Sequence, residues 1–259
     1  MKSWVNSAID WARCIKHALL PRERTTRANV QERFPDIDQA DLRFVEKFTD
    51  FTMTSIDRRL HLLESVRYIV RHKVPGAIVE CGVWRGGSMM LVADTLSGLG
   101  ATDRVLYLFD TFAGMPPPTE VDVDFTGSRA AERLRADQGR IRESNVWAIA
   151  SLDDVRSNMA SIGYPEQLTR FVEGMVEETV PARAPVEIAL LRLDTDWYES
   201  TKHELVHLFP RISRGGVVII DDYGYWKGAR KAVDEFINES GLIVFLHRID
   251  ETGRAFVKL

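Results

Sequence analysis

LLRLDTDWYEST, residues 190–201, is an apolar run that ends in two acids, Asp194 and Asp196. Such a run is the mark of a strand buried on both faces of a parallel sheet, read to the point where it reaches the open carboxyl edge and delivers side chains to a crevice. A second stretch behaves the same way, since VVIIDDY at 217–223 ends in Asp221 and Asp222. Asp194 and Asp196 stand two residues apart, so on an extended strand end they point to one side, whereas the adjacent Asp221 and Asp222 diverge. Two such ends in one crevice gather four carboxylates, and like charges in a partly dry site repel and raise one another's pKa values. A hard divalent cation resolves that conflict, because carboxylate oxygens are its preferred ligands.

Outward from these two strands the pattern alternates. Apolar strand-like runs at 77–83, 104–110, 169–174, 187–194 and 216–222 are separated by helical periods at 89–99, 152–162, 201–212 and 229–240. Strand followed by helix, repeated, predicts an α/β fold with a doubly wound, mostly parallel sheet. Two further strands, 242–248 and 253–259, come in close succession and require a hairpin, so the last strand should run antiparallel to the rest. Upstream, the spacing predicts a helix over 42–73 with Leu60, Leu63, Val66, Ile69 and Val70 on its apolar stripe, and another over 3–20 carrying Trp4, Ile9, Trp11, Ile15 and Leu19. The latter helix suits a core cap, a dimer contact or a cover for the site. The expected organisation is a helical extension over 1–73 and a catalytic domain over 74–259. A long insertion at 113–147 holds Pro116 to Pro118, the acids Glu120, Asp122 and Asp124 and a charged run from 129 to 142. Loops of that length are functional or disordered, and this one is expected to be a mobile lid, partly helical over 129–137.

Composition excludes several classes. The chain has 259 residues, 45% of them hydrophobic and 28% charged, with a formal net charge of −4 and no long basic tract, which argues against a nucleic-acid partner. Cys14 and Cys81 are too few for a disulfide framework. No segment is long and apolar enough to span a membrane, and residues 1–20, interrupted by Lys2, Asp10, Arg13 and Lys16, lack a signal peptide's apolar core. A cytoplasmic location is the expectation.

The first strand leads into ECGVWRGGS at 80–88, with a helix expected from about Met89. Glycines at such a turn allow close backbone approach, and a helix N-terminus offers free N–H groups to an anion. The order is neither the dinucleotide fingerprint nor a phosphate loop, so a carboxylate such as that of an amino-acid-derived cofactor is favoured over pyrophosphate. A tight turn that needs glycine for itself is the alternative. The second strand ends in Asp110 and Thr111, where an acid suits ribose hydroxyls; a turn or cap carboxylate is the alternative. Together these features describe a nucleoside site without phosphate, which suits S-adenosylmethionine. Glu80, Gly82, Gly86 and Ser88 are candidates for its methionine end, Asp110 and Thr111 for its ribose, and Gly174 and Met175 for the adenine edge. Trp84, Tyr198, Tyr223 and Tyr225 are candidates to stack on an acceptor, with ordinary packing as the alternative. His203 and His207 are four apart, but without the intervening Glu of a zinc motif a packing role is the better reading.

Taken together, VECGVWRGGSMM at 79–90, LFDTFAGMP at 108–116, LRLDTDWYEST at 191–201 and GGVVIIDDY at 215–223 resemble the macrocin O-methyltransferase family, metal-dependent sugar methyltransferases of macrolide and aminocoumarin biosynthesis. The resemblance spans about residues 45–245. It implies a class I methyltransferase fold, with a seven-stranded sheet whose last strand is antiparallel. It also implies methyl transfer from S-adenosylmethionine to a hydroxyl, most simply of a deoxyhexose on a glycosylated natural product or glycan. On this sequence it makes Asp194, Asp221 and Asp222 the Mg2+ ligands and Asp196 the general base, and it implies a homo-oligomer. Methylation of a catechol, whose vicinal oxygens also chelate Mg2+, is the alternative within enzymes. A non-catalytic module that keeps the fold is the alternative outside them, although such a module has no physical reason to keep four clustered acids.

Overall fold

The computed structural model describes residues 32–141 and 144–259, so the expected helix over 3–20 lies outside the described residues. Contacts divide the chain into Met1–Arg43 and Phe44–Leu259. In the first unit, the Asp38 carboxylate accepts the Ala40 N–H at 2.7 Å where helix α1 (Gln39–Glu46) begins.

The second unit carries the sheet. Its order is β3-β2-β1-β4-β5-β7-β6, formed by β1 (Ala77–Cys81), β2 (Leu106–Asp110), β3 (Thr169–Glu173), β4 (Ile188–Leu193), β5 (Ile212–Ile220), β6 (His247–Arg248) and β7 (Arg254–Val257). Strands β1 to β5 pair in parallel, while β7 pairs antiparallel with both β5 and β6, as the closing hairpin predicts. Every residue of β1 and β4 is buried, which accounts for their unbroken apolar character. Val79, Cys81, Leu191, Leu193, Val218 and Ile220 share one core cluster with Leu205, Leu208, Val233 and Phe236 of helices α7 (Tyr198–Leu208) and α8 (Lys227–Glu239). The alternate residues, Glu80 and Arg192 among them, face the other side of the sheet, where α2 (Ile56–Arg71) packs against α3 (Gly87–Gly98). Helices α4 (Ala130–Ala136), α5 (Leu152–Ala160) and α6 (Val176–Thr179) complete the unit.

Two expectations are corrected. The helix expected over 42–73 is two helices, because the chain leaves α1 at Glu46, becomes extended at Thr52 and re-enters at Ile56. Thr52 and Thr54 pair their hydroxyls at 3.0 Å, and Ser55 caps α2 by accepting the Arg58 N–H at 3.2 Å. Hydroxyl side chains that bond locally compete with a continuing helix. The strand expected over 242–248 pairs with β7 only at His247 and Arg248. These residues still alternate. Leu242, Val244 and Leu246 pack on the core, while Ile243 and Phe245 are 93% and 83% exposed.

Candidate active site

The acids and turns of the sequence reading converge where β1, β2, β4 and β5 end. The hydrogen-bond ladder runs one residue past the strands, with Gly82 N donating to Phe109 O (2.9 Å), Asp194 N to Cys81 O (2.8 Å) and Asp221 N to Leu193 O (2.9 Å). Each acid is thereby carried to the carboxyl edge on rigid backbone. Gly82 has φ +83°, and a Cβ there would collide with the Asp194 carbonyl. A Cβ on Gly87 would lie 2.5 Å from the Phe51 backbone. These two glycines therefore serve close packing of the chain on itself, whatever else approaches the turn. Asp110 ties two of the turns together. Its Oδ2 accepts the Val83 and Trp84 N–H groups at 2.6 and 3.0 Å, and its Oδ1 accepts that of Phe112 at 2.7 Å. Burial pushes its pKa up against these bonds. Trp84, Phe112 and Asp196 hold left-handed conformations, with φ of 48°, 51° and 68°. Such conformations cost on the order of 1–3 kcal/mol each and collect at functional sites.

Asp194, Asp221 and Asp222 each offer a carboxylate oxygen, all within 4.8 Å of one another, and are the group of possible metal ligands found among the described residues. Besides one another, these acids have buried bases as partners, which the sequence reading did not include. Arg192, inside β4 and 4% exposed, donates from Nη1 to Glu80 Oε1 (2.6 Å) and Asp194 Oδ2 (2.8 Å), and from Nη2 to Asp221 Oδ1 (2.6 Å). Arg58 of α2 bonds Asp221 Oδ2 and Thr252 Oγ1, and reaches Asp250 Oδ2 at 2.8 Å. Burial drives Asp194 and Asp222 well above the usual carboxylate range, whereas at Asp221 the two arginines outweigh burial and hold the pKa low. Asp196, beside Asp222, is pushed up to about 7 by burial, with Asp194 and Asp221 adding to the effect. Asp222 Oδ2 and Glu80 Oε2 are buried with no hydrogen-bond partner among the described residues.

A cleft with a cavity volume of about 100 Å³ lies against these groups. Gly82, Trp84, Asp110, Thr111, Gly174, Met175, Asp194 and Asp196 line it. Glu80 and Ser88 lie buried behind it, and Gly86, with φ +87°, caps α3 against Val155. The other acceptor candidates point elsewhere. Tyr198 donates to Glu235 (2.7 Å) and Tyr223 to Asp234 (2.8 Å), both on α8, while the Tyr225 hydroxyl accepts from Arg133 (2.5 Å). None of these tyrosines lines the cleft. His203 Nε2 donates to the Val180 carbonyl (2.9 Å) and packs on His207, so the pair serves packing. Met53, Met115, Asn145 and Thr195 also line the cleft; Met115 and Thr195 stand inside the quoted motifs, while nothing in the sequence context of Met53 or Asn145 singles them out.

Residues 12–258 match the profile of the family described as Macrocin-O-methyltransferase (TylF). The chain belongs to this family. As a macrocin O-methyltransferase family member it is an O-methyltransferase, and S-adenosylmethionine is the methyl donor that the family and the fold support. It is 34% identical over 245 residues, 95% of its own length and 90% of the relative's, to the 8-demethyl-8-(2,3-dimethoxy-alpha-L-rhamnosyl)-tetracenomycin-C 4'-O-methyltransferase of Streptomyces olivaceus. It is also 34% identical, over 78% of its length and 73% of the relative's, to the demethyldecarbamoylnovobiocin O-methyltransferase of Streptomyces niveus. The solved structure of the O-methyltransferase NovP superposes with a TM-score of 0.70 at 33% identity, covering 80% of this chain and 82% of that one. Among the described residues of this family member, no helix is long and apolar enough to cross a membrane.

Proposed function

We propose that this O-methyltransferase methylates a hydroxyl of a deoxyhexose, such as a rhamnosyl group, on a glycosylated natural product, and that Mg2+ held by Asp194, Asp221 and Asp222 assists. The observation that carries the proposal is the convergence of three carboxylate oxygens within 4.8 Å at the cleft, one of the three residues also having a buried oxygen that no donor meets. All-oxygen ligation fits Mg2+, and the rhamnosyl acceptor named for the Streptomyces olivaceus relative supports the sugar.

Within this reading the chain's own groups have distinct tasks. Arg192 takes one oxygen of Asp194, and Arg192 and Arg58 take one oxygen each of Asp221, which orients the carboxylates and leaves Oδ1 of Asp194 and the second lone pairs of the Asp221 oxygens for the cation. Asp110 Oδ2 is filled by two N–H groups, but at Oδ1 the second lone pair meets only Thr111 Oγ1, at 3.5 Å, so Oδ1 is the oxygen available to a ribose hydroxyl. Held by Asp194, Asp221 and Asp222, a Mg2+ ion would make the acceptor hydroxyl more acidic, and S-adenosylmethionine would supply an activated methyl group. Asp196, in the cleft wall and held next to the ligand cluster, accepts the proton that the hydroxyl loses. A cytoplasmic homo-oligomer belongs to the same reading, and sedimentation velocity checks the assembly.

The test is transfer of labelled methyl from S-adenosylmethionine to rhamnosylated and other glycosylated natural products and to simple catechols, with Mg2+ and with excess chelator. Chelator-sensitive labelling of a glycoside is expected. Labelling of catechols alone would overturn the sugar, and labelling that survives chelation would overturn the metal. Asp194→Asn should weaken Mg2+ binding, whereas Asp196→Asn should keep the metal and lose about 100-fold or more in turnover; near-full turnover at every pH would remove Asp196 as the base.

A further inference from the structure

The two loops that carry the acids, 194–197 after β4 and 221–226 after β5, lead directly into α7 and α8. Neither helix has a side-chain cap from its own N-cap residue, Trp197 or Trp226. Both are capped by the insertion between β2 and α5. Asp122, 1% exposed, accepts the Tyr198 N–H with Oδ1 at 2.8 Å. Its other oxygen, Oδ2, is held by the Thr119 N–H (2.7 Å) and hydroxyl (2.8 Å). The next residue, Val123, accepts the Lys227 N–H at 2.8 Å through its carbonyl, and Asp124 forms a bridge with Trp226. Asp122 also lies where a side chain on Gly228 would have to go, since a Cβ there would collide with Oδ1. A carboxylate at the N-terminus of α7 is favoured by the helix dipole as well as by the hydrogen bond.

We infer that Asp122 is a positioning residue of the proposed metal centre: by bonding the first turn of α7 and wedging against the first turn of α8, it fixes the spacing of the loops that bear Asp194 and Asp196 on one side and Asp221 and Asp222 on the other. The inference rests on the proposed metal reading but makes a separate structural claim. The root of the insertion is on this account a fixed strut between two helix ends, and any closing motion over the acceptor belongs to other parts of 113–147.

The test compares wild type, Asp122→Ala, Asp122→Asn and, as a control for general destabilisation, Ser151→Ala, which removes the cap of α5. Amide exchange by mass spectrometry reads the loops without any metal, and Mn2+ titration followed by EPR reads the site with the metal alone. Asp122→Ala is expected to speed exchange across both 194–199 and 221–228 and to weaken Mn2+ binding by about tenfold or more, while Ser151→Ala changes neither. If Asp122→Ala does not fold, Asp122→Asn carries the same test, because it keeps an acceptor for Tyr198 but turns a donor toward Thr119. Faster exchange confined to the insertion, or unchanged Mn2+ affinity against a binding wild type, would overturn the inference. If the wild type binds no Mn2+, the metal reading falls and the exchange pattern alone decides the role of Asp122. Gly228→Ala supplies an independent check, since its loss of melting temperature should shrink in the Asp122→Ala background; equal losses in both backgrounds would count against the wedge.

Discussion

Arg192 shows how a single base can make an acidic site foldable. Three carboxylates, those of Glu80, Asp194 and Asp221, meet one guanidinium buried in the sheet. Removing one partner of a buried ion pair leaves the others uncompensated, at a cost of about 3–5 kcal/mol. Arg192→Met should therefore lower stability by about that amount in urea titrations. It should also melt higher with added Mg2+ by a wider margin than wild type, because the cation then takes over the missing charge. A second test concerns His61, which stacks on His247 at 6.2 Å between ring centres. Burial, aided by the charge of His247, lowers its pKa from 6.5 to about 4. The folded state thus binds fewer protons than the unfolded chain in that window. Its contribution is complete above the unfolded pKa and is lost as pH falls from 6.5 toward 4, by about 3 kcal/mol. His61→Gln should flatten stability against pH across this interval in denaturant titrations.

Among the elements, what the sequence makes legible depends on whether the deciding partner is near in the chain. β4 and β5 announce themselves because burial on both faces demands an unbroken apolar run, and their acids are legible because they follow at once. Arg192 was in plain view but silent, since an isolated base in a strand does not reveal that three acids surround it. Arg58 acts across 163 residues. The tyrosines beside the motifs turn away from the cleft because Glu235 and Asp234 of α8 and Arg133 of α4 claim their hydroxyls, and nothing at 198, 223 or 225 foretells that. The break before α2 went unread because Phe48 and Phe51 keep helical spacing while Thr52, Thr54 and Ser55 turn their hydroxyls to local bonds. Ser55 also donates to Asp250 at 2.7 Å. Ser55→Ala should consequently cost about 1–2 kcal/mol, more than a surface cap alone. Its melting temperature compared with that of Ser151→Ala checks this.

In the molecule as a whole, the doubly wound sheet puts every proposed role on one edge, while the far flank beyond β7 has a different character. Ile243, Phe245 and Leu259 are more than four-fifths exposed there, at 93%, 83% and 87%. Apolar side chains beside an unpaired strand edge invite association. Phe245→Lys should leave stability within about 0.5 kcal/mol while reducing the binding of a hydrophobic dye, and unchanged dye binding would show that the patch is not what the dye reads. The same flank bears on how the protein is made. β7 fills the place between β5 and β6, although it is the last of the three to be synthesised. During translation the inner neighbour of that gap, the strand whose end carries Asp221 and Asp222, waits with one edge bare. Domains that complete themselves only through late, long-range pairing fold slowly and are exposed to misassembly. The newborn chain should therefore lean on chaperones until residue 257 is free of the ribosome, and a polypeptide released before β7 is made would hold every proposed site residue and an open sheet.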